Sequence, residues 1–79
     1  MKEKGPILLN SMEEKIQLEV VREDGNTIKY IDNPSLELQL ESVRHDGLVI
    51  QYIKNPSLEV QIEAVKQNGY AIYYIKNPT

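Results

Sequence analysis

The chain repeats itself every 22 residues, and this period restricts the fold more than any other feature. The segment from Tyr30 to Gln51 aligns without a gap with the segment from Tyr52 to Tyr73, and a weaker copy lies upstream. The positions that coincide in all three copies include Gln17/Gln39/Gln61, Glu19/Glu41/Glu63, Val21/Val43/Val65, Gly25/Gly47/Gly69 and Ile28/Ile50/Ile72. A fixed period of this order is typical of units stacked in a row, in which each unit buries its apolar face against its neighbours.

The period also defines the organisation of the chain. Its 79 residues are enough for one domain, 1–79. We expect repeats at about 12–33, 34–55 and 56–77, preceded by a half-repeat at 5–11. The last copy ends on Asn77-Pro78-Thr79, where a fourth would begin. We therefore expect either that the chain is part of a longer array or that its apolar end meets a partner.

Each repeat has two halves around a glycine, and two folds fit this arrangement. Alternating polar and apolar residues before Asp24-Gly25 are typical of a β-hairpin, so stacked hairpins remain an alternative. The alternation fails at the same place in every copy, however. In the second half of repeat two, Val49, Tyr52 and Ile53 follow the i, i+3, i+4 spacing of a helix. The sequence therefore predicts an all-α fold, a short α-solenoid of three helix-turn-helix repeats.

The ends of the predicted helices follow from local signals. In repeat two we place helix A at about 34–45 and helix B at about 48–53. Asn33-Pro34 is typical of an N-cap followed by proline in the first turn, and Ser11 with Glu14 resembles a capping box. The repeat glycines, such as Gly47, are predicted to close helix A in the left-handed conformation.

Composition excludes several classes of function. The chain has no cysteine, so it forms neither disulfides nor thiolate metal sites. A net charge of −3 with both signs interspersed argues against nucleic acid binding, which needs a concentrated basic face. The longest apolar runs are three residues, so no membrane span is predicted. No secretory signal is recognisable at the start, and we expect a cytoplasmic protein of the producing or infected cell.

The string Val65 to Ile72 (V-K-Q-N-G-Y-A-I), followed by Tyr74 to Pro78 (Y-I-K-N-P), resembles a bacterial and viral domain family of unknown function. That family consists of tandem helical repeats, and the resemblance covers roughly 11–78, with its best part in repeats two and three. The first repeat departs from it, with R-E-D in place of K-Q-N. The resemblance implies helical repeats and brings no catalytic residues. By analogy with phage proteins, it suggests a small inhibitor of host machinery.

Polar residues that recur with the period are predicted to be structural. Glu41 and Arg44 have counterparts in repeat three and should form solvated stripes. The repeated glutamines should hydrogen bond between repeats, and His45 is interpreted as a cation near a helix C-terminus. No nucleophile–base–acid set, phosphate loop or metal-ligand spacing is present. The sequence therefore predicts a non-enzymatic protein with no metal and no cofactor.

The tyrosines divide into two groups. Tyr30, Tyr52 and Tyr74 recur in register and are predicted to pack between repeats. Tyr70 and Tyr73 are not demanded by the period, and tyrosine is enriched in binding hot spots. The candidate binding residues are Tyr70, Tyr73, Tyr74, Arg44 and His45.

Together these features predict a protein-interaction module with a protein partner, in its sharper form an inhibitor of a host or defence protein. Self-association is expected through the C-terminal end, as a two-fold homodimer. A self-assembling structural element, joined end to end through unfinished repeats, is the alternative. A binder of a small ligand or nucleotide through its tyrosines is a weaker one.

Overall fold

A computed structural model describes residues 9–75, and within them the chain forms helices and no strand. After a short helical segment at residues 9–11, three α-helices alternate with three 3₁₀ helices of two turns each. In chain order these are α1 (Glu14–Glu23), η1 (Gly25–Tyr30), α2 (Leu36–His45), η2 (Gly47–Tyr52), α3 (Leu58–Gln67) and η3 (Gly69–Tyr74). The predicted all-α repeat fold is confirmed, and the hairpin alternative is wrong for the described residues. The expected half-repeat at 5–11 lies largely outside them.

Successive helices pack side by side in two rows. The α-helices form one row and the 3₁₀ helices the other, and α2 and α3 each also contact the 3₁₀ helix before them. The buried side chains come from both rows, with Val21, Val43 and Val60 from the α-helices and Ile28 and Ile50 from the 3₁₀ helices. Because both Leu38 and Val43 are buried, α2 is covered on two sides, as stacking between two repeats requires.

Serines begin the second and third α-helices. Ser35 is the N-cap of α2 and accepts a hydrogen bond from the Leu38 N–H at 3.2 Å, and Ser57 does the same for α3. The predicted asparagine caps are therefore wrong. Asn33 and Asn55 instead adopt the left-handed conformation, with φ of 52° and 50°. Asparagine tolerates this region better than most residues, and here it turns the chain from one repeat into the next.

The predicted capping box at the start of α1 is not formed either. The N-cap of α1 is Glu13, which makes no side-chain cap bond. The Glu14 carboxylate accepts a hydrogen bond from the Ser35 hydroxyl at 3.0 Å. Glu14 thus connects the first repeat to the second, instead of closing its own helix.

An Asp or Asn side chain stabilises the turn from each α-helix into its 3₁₀ helix. Asp24, Asp46 and Asn68 are extended, and each accepts a hydrogen bond from the amide two residues on, as in Asp46 Oδ1 with Leu48 N–H at 3.0 Å. Such local bonds are a known alternative to helical pairing for these residue types. The second half of each repeat is therefore a 3₁₀ helix, beginning at the glycine, one residue earlier than predicted for helix B.

The repeat glycines are not left-handed, so the role predicted for them is wrong. Their function is to let the next α-helix come close. A Cβ atom on Gly47 would lie 2.2 Å from the Ala64 carbonyl oxygen, and one on Gly25 would lie 2.9 Å from that of Ser42. Gly69 would meet nothing within 4 Å. Glycine is thus required wherever a following α-helix is packed against it.

The predicted hydrogen bonding of the glutamines between repeats holds for Gln17, which is buried and whose Nε2 donates to the Leu9 carbonyl oxygen of the preceding half-repeat at 2.9 Å, and is wrong for the other two. Gln39 Nε2 donates to the carbonyl oxygen of Pro34, and Gln61 Nε2 donates to that of Pro56, both at 2.9 Å. Each side chain folds back from its α-helix onto the Asn-Pro loop that precedes it. In the second and third repeats the glutamine therefore fixes the entry of the chain into its own helix.

Candidate protein-binding surface

The end of the third repeat exposes positions that are buried in the other two. Ile28 and Ile50 are each 1% exposed, whereas Ile72, at the same position, is 57% exposed. Val21 and Val43 are fully buried, while Val65 is only partly buried. Gly25 and Gly47 are buried, while Gly69 is exposed. We call Ile62, Val65, Gly69 and Ile72 the open face.

The interfaces inside the chain show what the open face is shaped to receive. At each of them an α-helix lies on the glycine of the preceding repeat and presents a small residue there, Ser42 or Ala64, with no exposed surface. The first repeat has Val20 at this position. Val20, Ser42 and Ala64 share one position of the repeat, and the small residues there are the sequence signal for the contact with glycine. Periodicity alone does not show which glycine each of them contacts.

Ion pairs of the same register connect neighbouring repeats. Arg22 Nε lies 3.0 Å from Glu41 Oε2, and Arg44 Nε lies 3.6 Å from Glu63 Oε1. The arginine side chains are each 53% exposed, so solvent screens both pairs and each contributes under about 1 kcal/mol. Lys66 occupies the matching position beside the open face. The predicted charged stripes are therefore ion pairs across the repeat boundaries.

The interface between the second and third repeats has a further polar contact. The Gln67 side chain accepts a hydrogen bond from the Gly47 N–H at 2.6 Å and donates one to the His45 carbonyl oxygen at 3.4 Å. One side chain of α3 thereby satisfies an amide and a carbonyl at the end of α2. The Gly69 amide is the equivalent group on the open face.

The candidate tyrosines lie partly on another surface. Tyr70 and Tyr73 are 69% and 78% exposed, and their rings stack with centroids 6.1 Å apart. Position 73 is exposed in every repeat, since its counterparts Lys29 and Gln51 are exposed as well. Position 70 is different, because its counterpart Leu48 is partly buried. Only Tyr70 therefore gains exposure from its place in the last repeat.

Tyr30, Tyr52 and Tyr74 form a row along the side of the repeats. They are 42%, 41% and 44% exposed, so their predicted place in the core between repeats is wrong. The Lys29 ammonium group lies over the rings of Tyr30 and Tyr52, at 5.3 and 5.5 Å from their centroids, within cation–π range. The exposure of Tyr74 is a property of every repeat and does not result from the chain's end.

The two basic candidates lie at the C-terminal end of α2. The Arg44 guanidinium pairs with Glu63 of the next repeat. His45 is the last residue of α2, and its side chain is exposed. The predicted position of His45 near a helix C-terminus is therefore confirmed. Their part in binding, like that of the tyrosines, stays a prediction.

Residues 9–75 contain no group of three or more His, Cys, Asp or Glu residues placed to hold a metal ion. The helices of this part of the chain are also too short and too polar for any of them to cross a bilayer.

The fold and the open face define a short helical repeat protein whose repeats share one interface geometry. The family described as Domain of unknown function (DUF4116) matches residues 35–77, more than half of the chain, and the protein belongs to this family. The match covers the second and third repeats, in which the sequence resemblance is also best. No curated protein and no solved structure matches the chain.

Proposed function

We propose that this protein is a non-enzymatic protein-interaction module that binds a protein partner at the end of its third repeat. The observation that carries the proposal is Ile72, which is 57% exposed although both of its counterparts are 1% exposed. Fully burying an exposed side chain of this size contributes about 1.5–3 kcal/mol, of which a half-exposed Ile72 forgoes a part, and contiguous apolar patches on soluble proteins mark interaction sites.

The stacked pair Tyr70 and Tyr73 extends this surface with aromatic area. Tyrosine provides large, stiff contact area with a hydroxyl that can hydrogen bond at the rim. Tyr70, whose exposure increases in the last repeat, is the tyrosine proposed to bind together with Ile72 and Ile62. Arg44, at the end of α2, supplies positive charge on the neighbouring repeat, and the exposed His45 lies beside it in the chain.

Two narrower roles belong to the same proposal. One is an inhibitor of a host or defence protein, of the kind made by phages, which the resemblance suggested by analogy. The other is self-association, either as a two-fold homodimer through the C-terminal end or by end-to-end stacking. Self-association is favoured by a specific observation, because the open face repeats the composition of the interfaces inside the chain.

A capture experiment with surface variants tests the proposal. The wild-type chain is immobilised, and proteins retained from a cell lysate are identified and then re-bound as purified proteins. Ile72→Ser should remove the binding. Leu36→Ser is a matched control, because Leu36 is an exposed leucine, 49% accessible, in an internal repeat. A partner that binds both variants as well as wild type would show that the open face is not the binding surface.

A further inference from the structure

We infer that a second surface of this protein, a pair of equivalent grooves between its repeats, binds an extended acidic segment of a partner protein in the polyproline II conformation. The grooves share no residue with the open face, so this inference goes beyond the proposed function and stands independently of it. It depends on four features: the recurrence of the groove, the spacing of the repeats, two unpaired carboxamides, and the charge.

The first feature is that the same groove occurs twice. The first groove lies between repeats one and two, the second lies between repeats two and three, and the buried Ile53 lines both. Their volumes are about 490 and 800 Å³. Pockets of about 300–1,000 Å³ hold ligands the size of a drug molecule, which is also the size of a tripeptide. Equivalent residues line the two grooves: Asn33, Pro34, Gln39 and Tyr52 in the first and Asn55, Pro56, Gln61 and Tyr74 in the second.

The second feature is the spacing of the repeats. Helices packed side by side lie about 8–10 Å apart. The Lys29 ammonium group lies 5.3 and 5.5 Å from the ring centroids of Tyr30 and Tyr52, so the two rings are separated by no more than the sum of these distances, about 11 Å. A ligand that enters both grooves in the same way must therefore repeat itself at an interval of this order.

A polyproline II segment has this interval. It has three residues per turn and rises about 3.1 Å per residue, so every third side chain returns to the same face after about 9 Å. In a β-strand the same face recurs after about 7 Å, which loses register with the repeats. Grooves lined by aromatic side chains are a known mode of recognition for polyproline II segments. One turn of such a segment thus matches one repeat of the protein.

The third feature is a pair of carboxamides that are free to bind. Asn33 and Asn55 are exposed in the two grooves, and their side chains make no hydrogen bond within residues 9–75. A carboxamide has both donors and an acceptor, so it can pair with the C=O and the N–H of an extended chain. A polyproline II segment has no internal hydrogen bonds, and its backbone groups are available for such contacts. The two asparagines can therefore hold the backbone of the segment.

The fourth feature is the charge. The chain carries a net charge of −3, yet the charged residues that line the grooves are Lys29 and Lys54 against Asp32, and Lys54 lines both grooves. The Asp32 carboxylate accepts a hydrogen bond from the Asn10 side chain at 3.2 Å. The two lysines are exposed and form no ion pair within the described part of the chain. Carboxylates on the ligand are the complement of these ammonium groups.

The first test uses peptides of defined charge and conformation. A fluorescein-labelled peptide of four Pro-Pro-Glu units has a carboxylate on one face at every turn of a polyproline II helix. Its binding to the full chain is measured by fluorescence anisotropy at low salt, and the affinity should fall as salt is added. A peptide of four Pro-Pro-Lys units should not bind. A peptide of four Gly-Ser-Glu units should bind about 10-fold or more weakly, because a flexible chain must be ordered on binding.

The second test locates the peptide on the protein. Tyr52→Ser removes an aromatic ring from the first groove and should weaken binding about 10-fold. Asn55→Gly removes one carboxamide while permitting the left-handed backbone, and Lys54→Gln removes the charge that both grooves share. Each of these two changes should weaken binding about fivefold. Lys15→Gln is the matched control and should bind like wild type, because Lys15 is an exposed lysine on α1 outside both grooves. Circular dichroism verifies that each variant is folded.

Four results would overturn the inference. Absence of binding up to about 1 mM of the Pro-Pro-Glu peptide excludes such a segment as the ligand. Equal affinity for the Gly-Ser-Glu peptide excludes selection of the polyproline II conformation, and equal affinity for the Pro-Pro-Lys peptide excludes the charge argument. Unchanged affinity of Lys54→Gln together with a folded Tyr52→Ser places the peptide outside the grooves. Since Ile72→Ser tests the open face separately, either proposal can fail while the other stands.

Discussion

Replacing Gly47 by alanine should destabilise the protein, whereas the same change at Gly69 should not. A Cβ on Gly47 would lie 2.2 Å from the Ala64 carbonyl oxygen and 3.1 Å from its carbon. Carbon and oxygen atoms at their optimum are about 3.5 Å apart, so η2 and α3 must separate by about 1 Å. The separation also disturbs the 2.6 Å hydrogen bond between the Gly47 N–H and the Gln67 side chain.

The magnitude follows from three contributions. Overpacking a close interface costs about 1–3 kcal/mol, and weakening a partly buried hydrogen bond costs up to about 1 kcal/mol. The loss of backbone freedom in the unfolded chain returns about 0.4–1 kcal/mol for Gly→Ala. Gly47→Ala should therefore lower the free energy of unfolding by about 2 kcal/mol. Gly69→Ala has only the effect on the unfolded chain and should raise the free energy of unfolding slightly.

Urea denaturation followed by circular dichroism, at a protein concentration low enough to keep the chain monomeric, measures both variants. The midpoint of Gly47→Ala should fall, with an unchanged slope, and its melting temperature should drop by about 10 °C. Gly25→Ala should lie between the two, because its Cβ would be 2.9 Å from the Ser42 carbonyl oxygen. Equal midpoints for the Gly47 and Gly69 variants would refute the close-approach argument.

Further changes test the other contacts that define the repeat. Far-ultraviolet circular dichroism of the wild type should show the double minimum of a helical protein, and a single sheet-like minimum would contradict the fold. Asn55→Ala should lower the free energy of unfolding by about 1–2 kcal/mol, because alanine resists the left-handed conformation, and Asn55→Gly should lower it much less. Chemical denaturation measures both variants. Equal losses would show that the asparagine side chain, and not its backbone conformation, stabilises the turn. Gln61→Ala should lower the free energy of unfolding by about 1 kcal/mol in the same assay, because it removes the hydrogen bond to the Pro56 carbonyl oxygen. An unchanged denaturation midpoint would show that water replaces the glutamine side chain. Arg44→Ala should change the unfolding free energy by less than about 1 kcal/mol, with an effect that disappears at high salt, and a larger, salt-independent loss would mean that its pairing with Glu63 is not screened.

The sequence predicted the repeat and its helical nature because both follow from periodicity. The failure of strand alternation in each copy and the spacing of Val49, Tyr52 and Ile53 were sufficient for that. The left-handed residues were assigned wrongly, to glycine instead of Asn33 and Asn55. Glycine permits both a positive φ and a close approach, and only the position of the following helix decides which one applies.

The surface was predicted in part. That the end of the third repeat exposes apolar residues follows from the period, but the residue with the largest change is Ile72 and not a tyrosine. Tyr74 was expected in the core because it recurs in register. Recurrence shows that a position is equivalent in each repeat, and an equivalent position can be exposed as well as buried. The partner's identity depends on contacts outside the chain, which periodicity does not encode.

The stacking of successive repeats also has a consequence for how the chain opens. Because each α-helix packs against its neighbours in sequence, stability is distributed along a line, and a unit at an end can detach without opening the others. Amide hydrogen exchange should therefore be slowest in α2 and η2, which are covered from both sides, and faster in η3. All major contacts join segments close in sequence, so the chain should fold rapidly, beginning at the centre and adding its ends last.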